Sequence, residues 1–169
     1  MSAENPKMPE RFRPYIATFL IVENNGRYLL SLRRNTGYMD GRYGLVSGHV
    51  EENESAASAC LREAREEAGL DLAATDIEPL HVMHLVDGVR TYVYIVFITR
   101  NYTGPVENRE PEKCGGLAWF TRDALPANMA PNIRMVFEHA LSGAFYSEAG
   151  FPGMDPVPGE PCAAPPLRA

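Results

Sequence analysis

Three carboxylates, Glu63, Glu66 and Glu67, recur at i, i+3 and i+4 within residues 48–70, which read GHVEENESAASACLREAREEAGL. On a helix that spacing puts them on one face. Like charges so placed repel by roughly 0.2–0.5 kcal/mol per pair. They also fall in the last turns, where the helix dipole is negative and acids are unfavourable. Such a face calls for positive charge, and hard divalent cations with oxygen ligands are the natural candidates.

The elements around the acids follow from pattern. The helix opens at Glu54 or Ser55 and runs to about Ala68. Asn53 or Ser55 can cap its start, and Gly69 suits the left-handed position after its end. Ala57, Leu61, Ala64 and Ala68 form an apolar stripe at helical spacing, with Ala56, Ala59 and Cys60 on or beside the acidic face. The helix is thus expected to dock on a sheet and present its glutamates outward. Residues 15–22 and 27–33 read as strands joined by an Asn-Gly turn, and residues 43–47 as a short strand delivering the chain into Gly48. Residues 77–86 and 91–100 are a further strand pair. The second of these is nearly unbroken β-rich sequence, as a central buried strand would be. Residues 34–42 and 101–116 are polar loops, and 117–121 is a short strand around Trp119, which reads as core. Residues 131–141 form a second helix with Pro131 at or near its first position, burying Ile133, Val136, Phe137, Ala140 and Leu141. Together these give an α/β sandwich with a mixed sheet. A single domain spans residues 14–147, after a flexible arm, 1–13, and before a proline-rich tail, 148–169.

Composition narrows the function classes. The 169 residues are 45% hydrophobic and 22% charged, which fits an ordinary globular domain rather than a disordered chain. A net charge of −6 without a basic block argues against a nucleic-acid polymer as partner. Cys60, Cys114 and Cys162 are odd in number and make no CxxC pair, which disfavours a disulfide framework or thiolate zinc site. No signal-peptide core is visible, and the apolar run at 15–22 is far too short to span a membrane. The expected setting is a reducing cytoplasm. Neither a dinucleotide fingerprint nor a phosphate-binding P-loop motif occurs.

Set out by spacing, Gly48, Glu54, Arg62, Glu63, Glu66, Glu67, Gly69 and Leu70 resemble the Nudix box, G-x5-E-x7-R-E-U-x-E-E-x-G-U, where U is a bulky aliphatic residue. The flanks, RRNTGYMDGRYGLVSGHVE before it and EPEKCGGLAWF with LPANM after it, look like the MutT-type branch. The resemblance covers roughly residues 15–145. It departs at Ala64, small for the first U, at Ser47, where a glycine is frequent, and at Asn53, where glycine often precedes the glutamate. None of these removes a charged group.

The resemblance implies a Nudix-like α/β/α sandwich with a central mixed sheet. Its loop–helix–loop site would bind Mg²⁺ or Mn²⁺ and hydrolyse a nucleoside diphosphate linked to another moiety. Glu63, Glu66, Glu67 and the Ser47 carbonyl would be metal ligands. Arg62 and Glu54 would orient them, with Gly48 and Gly69 structural. The general base would be Glu67 or a glutamate of a later loop, Glu110 ahead of Glu112. Arg33, Arg34, Asn35, Asp40 and Tyr43 precede the box and either line the substrate pocket or form a solvated turn. His49 either touches a phosphate or packs in its loop, while His81 and His84 read as packing residues. The implied substrate is a small nucleotide, foremost a nucleoside triphosphate, modified or not, cleaved to monophosphate and pyrophosphate. Alternatives are a nucleotide sugar, ADP-ribose, a dinucleoside polyphosphate, a prenyl diphosphate isomerised on the same fold, or a ligand held by a non-catalytic sensor. The protein would be a monomer or homodimer without a membrane partner.

Overall fold

The structure, a computed structural model, describes residues 11–88 and 90–159. Its strands are β1 (Tyr15–Asn24), β2 (Arg27–Arg33), β3 (Tyr43–Gly44), β4 (Val46–His49), β5 (Glu78–Asp87), β6 (Arg90–Thr99), β7 (Cys114–Thr121) and β8 (Tyr146–Ala149). The helices are α1 (Ala56–Ala68), between β4 and β5, and α2 (Pro131–Ala140), between β7 and β8. The path across the sheet is β3-β2-β1-β6-β5-β8, with β4 also paired to β1 and β7 to β2. β1 and β6 run parallel, as do β5 and β8, and the other pairs are antiparallel. The sheet is therefore mixed.

Both faces are covered. β1 shows why: Phe19 and Ile21 enter one apolar cluster, with Tyr94, Val136 and Phe137, while Leu20 and Val22 enter the other, with Cys60, Ala64 and Ala68. A strand that alternates between two buried layers reads as a continuous apolar run. α2 packs on the first face and α1 on the second, which makes the expected α/β/α sandwich. β6 is central, between β1 and β5. The first hairpin turns at Asn25 and Gly26, both at positive φ (50° and 76°), as an Asn-Gly turn requires.

Several boundaries differ from expectation. The strand expected at 43–47 divides at Leu45, because β3 pairs with β2 while β4 pairs with β1. β7 begins at Cys114 rather than Leu117. Its two glycines accommodate a register shift opposite Leu32 and Arg33, and a side chain at Gly115 would press on Leu32. The tail boundary at 147/148 falls inside β8. Residues 150–159 continue from it, with Phe151 against His84 (ring centroids 4.8 Å apart) and Val157 against the core. The tail holds apolar residues that find an open sheet edge, so its first half packs. Residues 11–14 of the expected arm have no regular structure. Residues 1–10 and 160–169, with Cys162, lie outside the described residues.

Candidate active site

β4 brings Ser47, Gly48 and His49 alongside the helix that carries the acids. Between them the chain turns at Asn53, whose φ of 64° is the left-handed conformation that asparagine tolerates. Ser55 caps α1, its side chain accepting from the Ser58 N–H at 3.1 Å, a contact type worth about 1 kcal/mol. At the other end Gly69 adopts φ 67°, and the Leu70 N–H returns to the Ala64 carbonyl at 3.1 Å. These caps hold the helix against the repulsion within its acidic face.

The acids are not simply outward. The buried residues of α1 are Ala59, Cys60, Ala64 and Ala68, whereas Ala57 and Leu61 are only half-buried. The docked face is rotated toward Cys60, because small side chains let the helix lie close on β1 and β4. The rotation turns Glu63 and Glu67 into the cleft beside β4 and leaves Glu66 exposed. Gly48 is needed there, since a side chain at that position would overlap the Glu63 carboxylate. The Ser47 N–H donates to Glu67 Oε2 at 3.1 Å, so Ser47 meets the helix through its amide.

Arg62 organises the carboxylates. Its guanidinium donates to both oxygens of Glu54, at 2.9 and 3.0 Å, to Glu63 at 2.6 Å and to Glu66 at 3.3 Å. It also donates to the His49 carbonyl at 3.2 Å. The planar fork fixes several acceptors at once, which a lysine cannot do. Hydrogen bonds from Arg62 hold the Glu54 carboxyl below its usual range.

The later loop reaches the site through the open end of α1. The N–H groups of Glu107 and Arg109 donate to the Ala68 and Glu67 carbonyls, at 2.9 and 3.2 Å. These are helix-end carbonyls that need partners. Asn108 then receives the Glu110 N–H and donates to the Cys114 carbonyl. Glu110 is thereby placed in the cavity, where Lys113 Nζ meets it at 2.7 Å. Glu112 does not line this cavity.

A cavity of about 590 Å³ results, lined by Ser31, Arg33, Ser47, Glu63, Glu67 and Lys113 among others, with Glu66, Glu110 and His49 also in its wall. Burial pushes the Glu67 carboxyl up to about 8, reinforced by Glu63 and Glu110. Burial raises Glu63 as well, although Arg62 opposes the shift. Among the described residues, no three His, Cys, Asp or Glu side chains stand close enough to hold an ion as placed. The donor chemistry still fits a hard cation: carboxylate oxygens whose mutual repulsion a divalent ion would relieve.

A second cavity, about 300 Å³, opens beside the first and shares Arg33, Thr36, Ser47, Gly48 and His49 with it. Phe19, Tyr92 and Tyr94 wall it from β1 and β6, and Tyr38, Asn132 and Ile133 close the far side. Of the loop candidates, Arg33 lines both cavities. Its Nε donates to the Tyr38 carbonyl at 2.9 Å. Arg34, Asn35, Asp40 and Tyr43 line neither cavity. Asp40 accepts from Thr36 and Gly37 and so shapes the loop, and these bonds hold its carboxyl low. Asn35 donates to the Glu112 carbonyl, and Tyr43 packs edge-on against Phe120. His81 is buried between the Ala144 carbonyl and Ser147 Oγ, away from the cleft. Sequence reasoning missed Lys113, Ser31 and the aromatic wall. Lys113 is three residues after Glu110 on a tight turn, which was the available signal.

The NUDIX domain family model matches residues 12–140. The chain belongs to the Nudix family. It is similar to the nucleoside triphosphatase NudI of Enterobacter sp. (strain 638), 30% identical over 115 residues that make up 62% of this chain and 80% of that protein. NudI of Salmonella agona (strain SL483) is 33% identical over 85 residues, 46% of this chain and 60% of that one. The fold is similar to a MutT Nudix hydrolase from Burkholderia pseudomallei, with TM-score 0.67, 27% identity, and cover of 75% of this chain and 98% of that one. The Nudix domain of Shewanella oneidensis NrtR, solved with ADP-ribose, shares the fold at TM-score 0.65 and 18% identity, covering 82% and 92%. The present chain is a Nudix-type hydrolase.

Proposed function

We propose that this Nudix hydrolase cleaves a nucleoside triphosphate to the monophosphate and pyrophosphate, with Mg²⁺ or Mn²⁺ as cofactor. The observation that carries this reading is the joined cleft: an acid-lined cavity opening directly into an aromatic one across Arg33 and Gly48. Charged phosphates suit the first once cations are present, and a flat base suits the second. The NudI relatives act on nucleoside triphosphates by name, which agrees.

A bound divalent ion would neutralise phosphate charge and make water a better nucleophile. Glu63, Glu66 and Glu67 would hold it, with Ser47 alongside. Arg62 keeps Glu63 and Glu66 oriented through its fork. Arg33 and Lys113 bring positive charge to the phosphates. Glu67 or Glu110 accepts the proton of the attacking water; both lie in the cavity, and Lys113 already engages Glu110. Arg33 remains the substrate contact among the loop candidates, while Asp40 and Asn35 shape the loop behind it. The free, buried thiols of Cys60 and Cys114 suit a cytoplasmic setting.

The test is a nucleotide panel with Mg²⁺, assayed for phosphate before and after added pyrophosphatase. Phosphate released only after pyrophosphatase is the expected result. Direct phosphate release contradicts the bond assignment. Tight binding without turnover across the panel would identify a sensor instead.

A further inference from the structure

The family match ends at residue 140, and β8 and residues 150–159 follow it. β8 pairs with β5, and Gly150 turns the chain with φ 73°, its N–H donating to the Asp155 carbonyl at 3.1 Å. Phe151 rests on His84, and Val157 is partly buried against the core. The segment then reaches Gly159. A Cβ placed there would stand 2.8 Å from Met39 Cε and 3.9 Å from both the Asn132 amide nitrogen and Pro131 Cβ.

Those contacts fall on two elements, the 34–42 loop and the first turn of α2. The same elements form the far wall of the aromatic cavity, through Tyr38 and Asn132. Inside, Asn132 Nδ2 donates to the Tyr38 hydroxyl at 3.1 Å and ties loop to helix. Outside, Gly159 lies against the neighbouring residues, Met39 and Pro131. One junction is thus held from both sides.

We propose that residues 150–159 form a strap that sets the width of the aromatic cavity and so selects the base-bearing part of the substrate. This rests on reading that cavity as the nucleoside seat. The strap acts through Tyr38 and Asn132, so its residues are positioning residues, and phosphate recognition should not depend on them. Gly159 carries the clearest constraint. Its φ of 109° disfavours any side chain, and one there would have to push the tip of Met39 aside.

Gly159→Val in the full-length protein is the test, with Met39→Ala as a second variant that loosens the junction without straining the backbone. Calorimetry measures affinity for a nucleoside monophosphate and for inorganic pyrophosphate, and kinetics measures KM and kcat on the triphosphate. Shifting a wall by a fraction of an ångström should weaken monophosphate binding and raise KM by about tenfold. Pyrophosphate affinity and kcat should stay within about twofold, the pattern of lost uniform binding. Unchanged monophosphate affinity in both variants overturns the strap. Equal losses for monophosphate and pyrophosphate overturn it too, since they mean general loosening. If the wild type turns over triphosphates while the variants match it, the strap alone fails. A wild type that binds no nucleoside monophosphate fails the underlying reading, and the strap with it.

Discussion

In the acidic half of the cleft the side chains repel one another; in the aromatic half they fill space. Burial raises the proton affinity of Glu63 and Glu67, and the nearby Glu110 carboxylate adds to it, an arrangement that is costly without a compensating positive charge. Phe19, Tyr92 and Tyr94 belong to the core and would be stable with no ligand at all. The contrast assigns different work to the halves. On the function proposed above, one supplies charge and chemistry, and the other supplies affinity and choice.

Substitutions can break that division. The largest effect is expected for Glu67→Gln, which keeps shape and removes charge. Its kcat should fall by at least about a hundredfold, while nucleoside monophosphate affinity holds, measured by steady-state kinetics and calorimetry. Comparable losses in both readings would erase the division. Gly48→Ala comes next. Its methyl group must displace the Glu63 carboxylate, so kcat/KM should drop by about tenfold or more. Activity close to wild type would mean that Glu63 has freedom to move. On the other side, Asn132→Ala should raise KM by about fivefold and leave kcat alone. A kcat defect there would move Asn132 into the chemistry.

The remaining effect concerns stability and not turnover. The folded protein, stripped of metal by chelator, keeps a proton on Glu67 up to about pH 8, whereas the unfolded chain releases it near 4.5. The unfolded state therefore binds fewer protons between those values, and stability falls as pH rises through that window. Denaturant titrations across the range check this, and Glu67→Gln should flatten the slope. A slope of the opposite sign would mean that Glu67 is stabilised as the anion.

The halves also differed in how far the chain revealed them. The acids sit on one stretch, where helical spacing, a cap at Ser55 and a glycine stop are local facts. Their positions and the sandwich around them followed from pattern. The direction of the helix did not, because Ala59 and Cys60 are too small to announce a buried face. An orienting role for Arg62 follows from its place among the acids, but its two bonds to Glu54 depend on the turn at Asn53. The aromatic wall comes from β1, β6, the 34–42 loop and α2, residues brought together only by sheet order. Tyr92 and Tyr94 looked like ordinary strand core. Asp40 and Asn35 read equally as pocket groups or as a solvated turn, and their hydrogen bonds shape the loop. Residues 150–159 read as tail in the sequence because prolines hide their two anchors, Phe151 and Val157.

On the proposed function, the acidic half binds divalent cations with Glu67 at its centre. The most direct measurement is the thermal midpoint of wild type and Glu67→Gln during a magnesium titration. A saturable rise is expected for the wild type and none for Glu67→Gln. The same rise in both proteins, or none in the wild type, would contradict it.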